Sequence, residues 1–188
     1  SLHWRALVQL GPTALCDYSV GQGGFWLDGE VCFADGTTAS LGTGPDWRCR
    51  PVTAYTAAGI YDARRPEAAW CPAEEREDIW HPELSRIPPM EEYHVLPLAE
   101  RTITVAPGET RTVEVPFDRI YAAFIRLVVR GRAHITADRY ELPELWREGD
   151  TDTLITDGDC DHRFLRFHSI GALRLTVRNE DTASVTVE

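Results

Sequence analysis

The sequence predicts an all-β protein made of two antiparallel, jelly-roll-like β-sandwich domains, the N-terminal one incomplete. Two observations carry this. From Glu100 onward, eight short apolar-alternating runs follow one another between turn residues, at the spacing of sandwich strands, with no convincing helical period. The length, 188 residues, suits two compact sandwiches, because domains commonly run about 100 to 150 residues. The division is expected between residues 1–92 and 93–188, with a Pro-rich crossover closing the first part.

In chain order, Leu2 to Leu10 alternates around Trp4, Ala6, Val8 and Leu10 as a half-buried strand, and Gly11-Pro12 ends it. A short strand around Cys16 to Val20 leads through a glycine-rich stretch to Phe25–Phe33, where Gly29 suggests a bulge. That glycine-rich stretch lacks the spacing and the Lys-Ser/Thr of a phosphate loop. Ala34-Asp35-Gly36-Thr37 is a hairpin signal, Asp-Gly being suited to a two-residue type I′ turn. Residues 71–97 carry prolines at 72, 82, 88, 89 and 97, an ordered crossover with one helical turn expected at Glu74 to Asp78. The eight later strands are expected at 102–105, 111–115, 122–129, 133–140, 153–156, 162–167, 172–177 and 183–187, with Pro107-Gly108 as a turn. Leu142 to Asp150 is an insertion holding Trp146, either packed on the sandwich edge or presented by a loop.

Composition narrows the function classes. The formal charge is −11, so clustered basic groups facing phosphates are not expected: neither nucleic acid nor an anionic membrane surface suits this chain as a partner. No apolar run approaches the roughly 18 residues of a spanning helix, and no signal peptide opens the chain, which reads as cytoplasmic. Ser1-Leu2-His3-Trp4 enters directly on an apolar run, as expected of residues cut from a longer polypeptide. Cys16, Cys32, Cys49, Cys71 and Cys160 have no C-x-x-C spacing. They read as buried or idle thiols of a reducing compartment, with one or two structural disulfides as the alternative.

The stretch Pro45 to Trp70 is too irregular for plain strand and too specific for linker. Asp62 and Arg64 flank a small residue, so on extended backbone their side chains share a side and pair to pin a loop. Three ordered pieces, Glu30 to Thr37 ending in Asp-Gly-Thr, Asp46-Trp47-Arg48 followed by Ile60-Tyr61-Asp62-Ala63-Arg64, and the Pro-rich Trp80 to Met90, carry a family likeness. The chain resembles the accessory β-sandwich region N-terminal to the catalytic barrel of bacterial α-L-rhamnosidases and related glycoside hydrolases. The resemblance implies a non-catalytic portion of such an enzyme, with the catalytic domain of the same polypeptide as its partner. The alternative is a rhamnose-binding or lectin-like module for rhamnose-containing glycans. It also implies further strands, absent here, preceding Leu2.

Candidate residues follow from these readings. No carboxylate pair stands out in an apolar context and no G-x-S-x-G elbow exists, so no catalytic residue is expected. Carbohydrate contact is assigned to Trp80, Trp146, Tyr61, Asp62 and Arg64, with most other Trp residues expected in the core. No cofactor is expected; the one metal candidate is calcium at Asp157, Asp159 and Asp161, which alternate as hard-cation ligands do, although His162 and His168 stand where a helix-loop-helix calcium site needs Gly and Glu. His162 and His168, placed on one strand, are expected to share a face.

Overall fold

The computed structural model describes residues 24–57, 59–75, 86–88, 91, 102–142, 151–165 and 167–188. Among these all regular structure is strand. The expected strands at 2–10 and 16–20, Trp80, and the Trp146 insertion beyond Leu142 lie outside the described residues, as do Arg76 to Asp78 of the expected helical turn. The chain divides into two compact units, Ser1–Arg50 with Ala69–Glu83, and Pro51–Ala68 with Leu84–Glu188.

In the first unit, β1 (Asp28–Cys32) and β2 (Thr38–Gly42) form a hairpin, and β3 (Arg48–Cys49) pairs with β6 (Cys71–Pro72). The hairpin turn differs from expectation. Gly36 takes φ +84° but among the described residues no non-glycine residue has positive φ, and the Gly36 N–H donates to the Phe33 carbonyl at 2.9 Å. A type I′ turn needs two positive φ values; one αL glycine after a type I turn makes a three-residue loop with a G1 bulge instead. Asp35 favours that loop, its carboxylate accepting from the Thr37 N–H and hydroxyl at 2.9 and 2.7 Å. Gly29 sits opposite Leu41 in an unbroken ladder, without the bulge expected there.

The second unit is a jelly roll. Its strands are β7 (Ile103–Val105), β8 (Thr110–Ala123), β9 (Arg126–Arg130), β10 (Ala133–Tyr140), β11 (Thr151–Ile155), β12 (Cys160–Arg163), β13 (His168–Asn179) and β14 (Val185–Val187). Pairing is nested and antiparallel: β7 with β14, β8 with β13, β9 with β12 and β10 with β11. The pairs fall alternately in two sheets, joined within each by β9–β14 and β10–β13. One long antiparallel ribbon folded over itself gives this order, the double Greek key of a jelly roll. Alternation explains the core: Ile103, Val105, Leu127, Val129, Val185 and Val187 from one sheet meet Ile135, Ala137, Leu154, Leu173, Leu175 and Val177 from the other. Each such Val, Leu or Ile side chain contributes about 1.5–3 kcal/mol on burial, so this cluster is the main source of stability.

Two departures from the expected strands have local causes. The expected run at 111–115 is longer than expected: β8 continues to Ala123, taking in the start of the expected 122–129 run, whose remainder is β9, and it makes an excursion in which Pro116 faces Ala172 and Tyr121 faces Ile170, so Phe117 to Ile120 stand opposite Gly171 alone. Pro116 is tolerated because, among the described residues, β8 is a sheet edge paired on one side only. More consequential, the sheet does not stop at β11. Residues 51–68, expected in the N-terminal domain, add β4 (Tyr55–Ala57) and β5 (Ile60–Asp62), giving the order β4-β5-β11-β10-β13-β8 with β5 parallel to β11. The expected boundary after residue 92 therefore does not follow the strand pairing.

Gly171 supplies a test of this packing. A Cβ there would collide with the Glu141 backbone oxygen, which cannot swing away as a side chain can. Gly171→Ala is expected to lower stability by about 1–3 kcal/mol in chemical denaturation. Gly24→Ala, at a position with open space around it, is expected to stay within about 0.5 kcal/mol.

Candidate functional site at the polar end of the jelly roll

The most chemically specific cluster in the described residues arises where β4 and β5 join the sheet. Inward positions of β10 run Ala133, Ile135, Ala137 and then Arg139, and those of β11 are Asp152 and Leu154. A charge thus replaces an apolar residue in the inward phase of each neighbouring strand. Arg139 Nη1 donates to Asp152 Oδ2, and both side chains are only 6% exposed. Backbone from the added strands completes the enclosure: Gly59, at φ +82°, lies so close that an added Cβ would be 2.8 Å from Asp152 Oδ1, and the Thr153 N–H donates to the Gly59 carbonyl at 2.7 Å.

Beside this pair lies an aromatic cage. Tyr61 pairs with Leu154 in the β5–β11 ladder and so faces inward, and Tyr55 stands opposite Tyr61. Their rings pack on His162, from the edge strand β12 of the other sheet, at centroid distances of 4.2 Å for Tyr61 and 6.1 Å for Tyr55, while Phe164 meets it edge-on at 4.9 Å. His162 is buried and its Nε2 has no hydrogen-bond partner. Burial pushes its pKa from 6.5 down to about 4, despite the opposing pull of Asp152 and Asp161. Burial likewise raises the Tyr55 hydroxyl to about 12, with Tyr61 and Asp152 adding to the effect. At neutral pH the cluster therefore holds a neutral His162 imidazole and a protonated Tyr55 hydroxyl, which is poor equipment for proton transfer.

The Asp62–Arg64 pairing expected from the sequence is present, for a partly different reason. Arg64 binds the carboxylate through both Nε and Nη2, at 2.8 and 3.0 Å, and its backbone N–H reaches Asp62 Oδ1 at 3.1 Å. The backbone contact makes an Asx turn, so the two side chains meet across a turn rather than along an extended strand. The arginine lowers the Asp62 pKa, chiefly by hydrogen bonding, against the opposing effect of burial. Asp62 also anchors its segment, its N–H donating to Ala54 O at 2.8 Å, while the next N–H, of Ala63, donates to Ile155 O at 2.8 Å.

The remaining candidates disperse. Asp157 is exposed; Asp159 accepts from Arg130 Nη1 at 3.2 Å and the Gly131 N–H at 3.1 Å; Asp161 is bound by Arg126 at 2.8 and 2.6 Å. Asp159 and Asp161 thus each meet an outward arginine of β9, and among the described residues no group of three or more His, Cys, Asp or Glu could hold a metal ion. His162 and His168 do not share a strand: the first is on β12, the second opens β13 in the other sheet. Trp26 and Trp70, expected in the core, are 61% and 48% exposed, and the Arg50 guanidinium lies 4.7 Å from the Trp70 ring centre. Trp47 is half-buried, packs on Phe25 and donates Nε1–H to Gly42 O at 2.9 Å. A polar cleft bounded by Arg139, Glu141, His168 and Ser169 encloses about 200 Å³, below the roughly 300 Å³ at which small-molecule sites begin.

Sequence reasoning missed Arg139 and Asp152 because each was counted as an ordinary strand or loop charge. The signal was available: opposite charges in the inward phase of adjacent strands. Two outcomes are expected. Asp152→Ala, which leaves Arg139 buried and unpaired, should cost about 3–5 kcal/mol in urea unfolding, whereas Arg139→Met with Asp152→Leu should cost far less. Because the His162 pKa is lower folded than unfolded, the unfolded chain takes up the proton first. Stability should be complete above about pH 6.5 and decline towards pH 4 by no more than about 3 kcal/mol. His162→Phe should remove that part of the pH dependence, read as the difference between the two stability profiles.

Comparison of the chain with protein families, curated proteins and solved structures gave no match.

Proposed function

We propose that this chain is a non-catalytic β-sandwich scaffold, the accessory portion of an α-L-rhamnosidase-like glycoside hydrolase that supports or positions a catalytic domain of the same polypeptide. The observation that supports this reading is the state of the buried acids. Among the described residues the buried carboxylates are Asp62 and Asp152, and each is held by an arginine. Glycoside hydrolysis needs an acid whose pKa is raised and a second carboxylate facing it across a sugar-sized space. Asp62 is shifted the opposite way. The exposed acids Glu114, Asp159 and Asp161 are likewise engaged by Arg174, Arg130 and Arg126. Surface charges so paired suit a body that is held in place better than one that binds an anion.

Carbohydrate recognition is the second reading, favoured by one observation, the 61% exposed Trp26, since sugars stack on exposed aromatic planes. Trp80 and Trp146 remain candidates under this reading. Tyr61 and Asp62 contribute less, because the Tyr61 ring is turned onto His162 and the Asp62 oxygens are engaged by Arg64.

The purified chain is expected to show no turnover of aryl α-L-rhamnosides or other aryl glycosides. Turnover abolished by replacing one carboxylate within these residues would contradict the scaffold reading. Titration with L-rhamnose, followed by tryptophan fluorescence, separates the two readings: a flat response through the tens-of-millimolar range leaves the scaffold, and a saturable change lost in Trp26→Ala establishes the binding module.

A further inference from the structure

In the first unit the two-residue ladder of β3 and β6 sets Cys49 directly opposite Cys71. Their sulfurs are 3.7 Å apart, the Cys71 thiol also points at the Cys49 carbonyl at 3.2 Å, and both residues are exposed. Two residues further along the ladder, the Ala73 N–H donates to the Trp47 carbonyl at 2.8 Å, with Arg48 opposite Pro72 between. By the alternation of antiparallel pairs, Cys49 and Cys71 then occupy a hydrogen-bonded position, where Cα atoms lie about 5.5 Å apart. That spacing is within the range disulfides span without moving the backbone. Cys32 and Cys160 stand opposite Thr38 and Val129, not opposite another thiol.

We infer that Cys49 and Cys71 are a disulfide-forming pair whose bond closes the chain between them into a loop. The place of that loop gives the bond its purpose. The chain passes from the first unit to the second after Arg50 and returns at Ala69. Cys49 and Cys71 therefore bracket both crossings, and everything between them is the segment that donates β4 and β5 to the jelly-roll sheet. A bond across its base limits how far that segment's ends separate in any state of the chain, which is where a disulfide exerts most of its effect.

The chemistry is ordinary exchange with a low-molecular-weight disulfide such as oxidised glutathione. One cysteine loses its proton and its thiolate attacks a glutathione sulfur, forming a mixed disulfide and expelling one glutathione thiolate. The second cysteine, deprotonated in turn, attacks the protein sulfur of that mixed disulfide. The Cys49–Cys71 bond forms and a second glutathione thiolate leaves. The protein has given up two protons and two electrons, and one glutathione disulfide has become two thiols.

The test equilibrates the folded, full chain with excess oxidised glutathione, then alkylates free thiols and measures intact mass. The expected product has lost two hydrogens, retains three of its five alkylatable cysteines, and yields linked tryptic peptides 49–64 and 65–76. Cys49→Ser is expected to stop at a glutathione adduct on Cys71, and Cys71→Ser at one on Cys49, while a chain with Cys16, Cys32 and Cys160 all changed to Ser still closes. Mapping on the unaltered protein keeps the test decisive even if a variant folds poorly. Five alkylatable thiols after equilibration, a glutathione adduct persisting on Cys49 or Cys71 of the unaltered chain, or a crosslink through Cys16, Cys32 or Cys160 would each overturn the inference.

Discussion

A carboxylate inside a β-sandwich has to be answered by its surroundings, and Asp152 is such a carboxylate. Left unpaired, it would cost several kcal/mol in lost hydration. Arg139 answers it from the neighbouring strand, which ties β10 to β11 at the end of their ladder. Gly59 brings backbone against it where no side chain would fit, and that approach carries β5 into parallel register with β11. Tyr61 and Tyr55 are thereby turned inward onto His162, closing the edge between the sheets. The ion pair itself roughly breaks even against an apolar replacement, so the Val, Leu and Ile core supplies the stability.

Most of the jelly roll was legible. Runs such as Arg126-Leu127-Val128-Val129-Arg130 and Val185-Thr186-Val187 alternate cleanly, and all eight strands appear at or near their expected places, with Ala133–Tyr140 at its expected bounds. Pro107-Gly108 makes its turn, Gly108 at φ +72° with the Glu109 N–H donating to Ala106 O. The hairpin at Asp35-Gly36 was placed correctly but given the wrong turn type, because the same dipeptide serves both loops. What stayed hidden was long-range. The strands β4 and β5 are three residues each, too short for periodicity to register, and β11, the partner of β5, begins almost ninety residues further along. The spacing that groups Asp157, Asp159 and Asp161 as a cation site likewise says nothing of the arginines on β9, which engage Asp159 and Asp161.

The functional reading follows from where charge is spent. In a hydrolytic site, burial and neighbouring groups keep a carboxylic acid protonated and leave its partner free. Here, among the described residues, the buried acids are neutralised by arginine, and the buried imidazole of His162 is enclosed by aromatic rings. These are devices for holding a sheet edge together. They give the segment 51–68 a role that its sequence, rich in turn residues, conceals: it is the additional edge of the larger sheet, drawn from between two stretches of the smaller unit.

The central claim is that this segment folds as part of the jelly roll. Hydrogen exchange of individual backbone amides measures it most directly, because the Thr153 amide is bonded to Gly59 O, the Ala63 amide to Ile155 O, and the Asp62 amide to Ala54 O. The account predicts protection of Asp62, Ala63 and Thr153 comparable with that of Ile135 and Leu175 in the central strands, lost together on global unfolding. Rapid exchange at those three amides, while β10 and β13 stay protected, would contradict it.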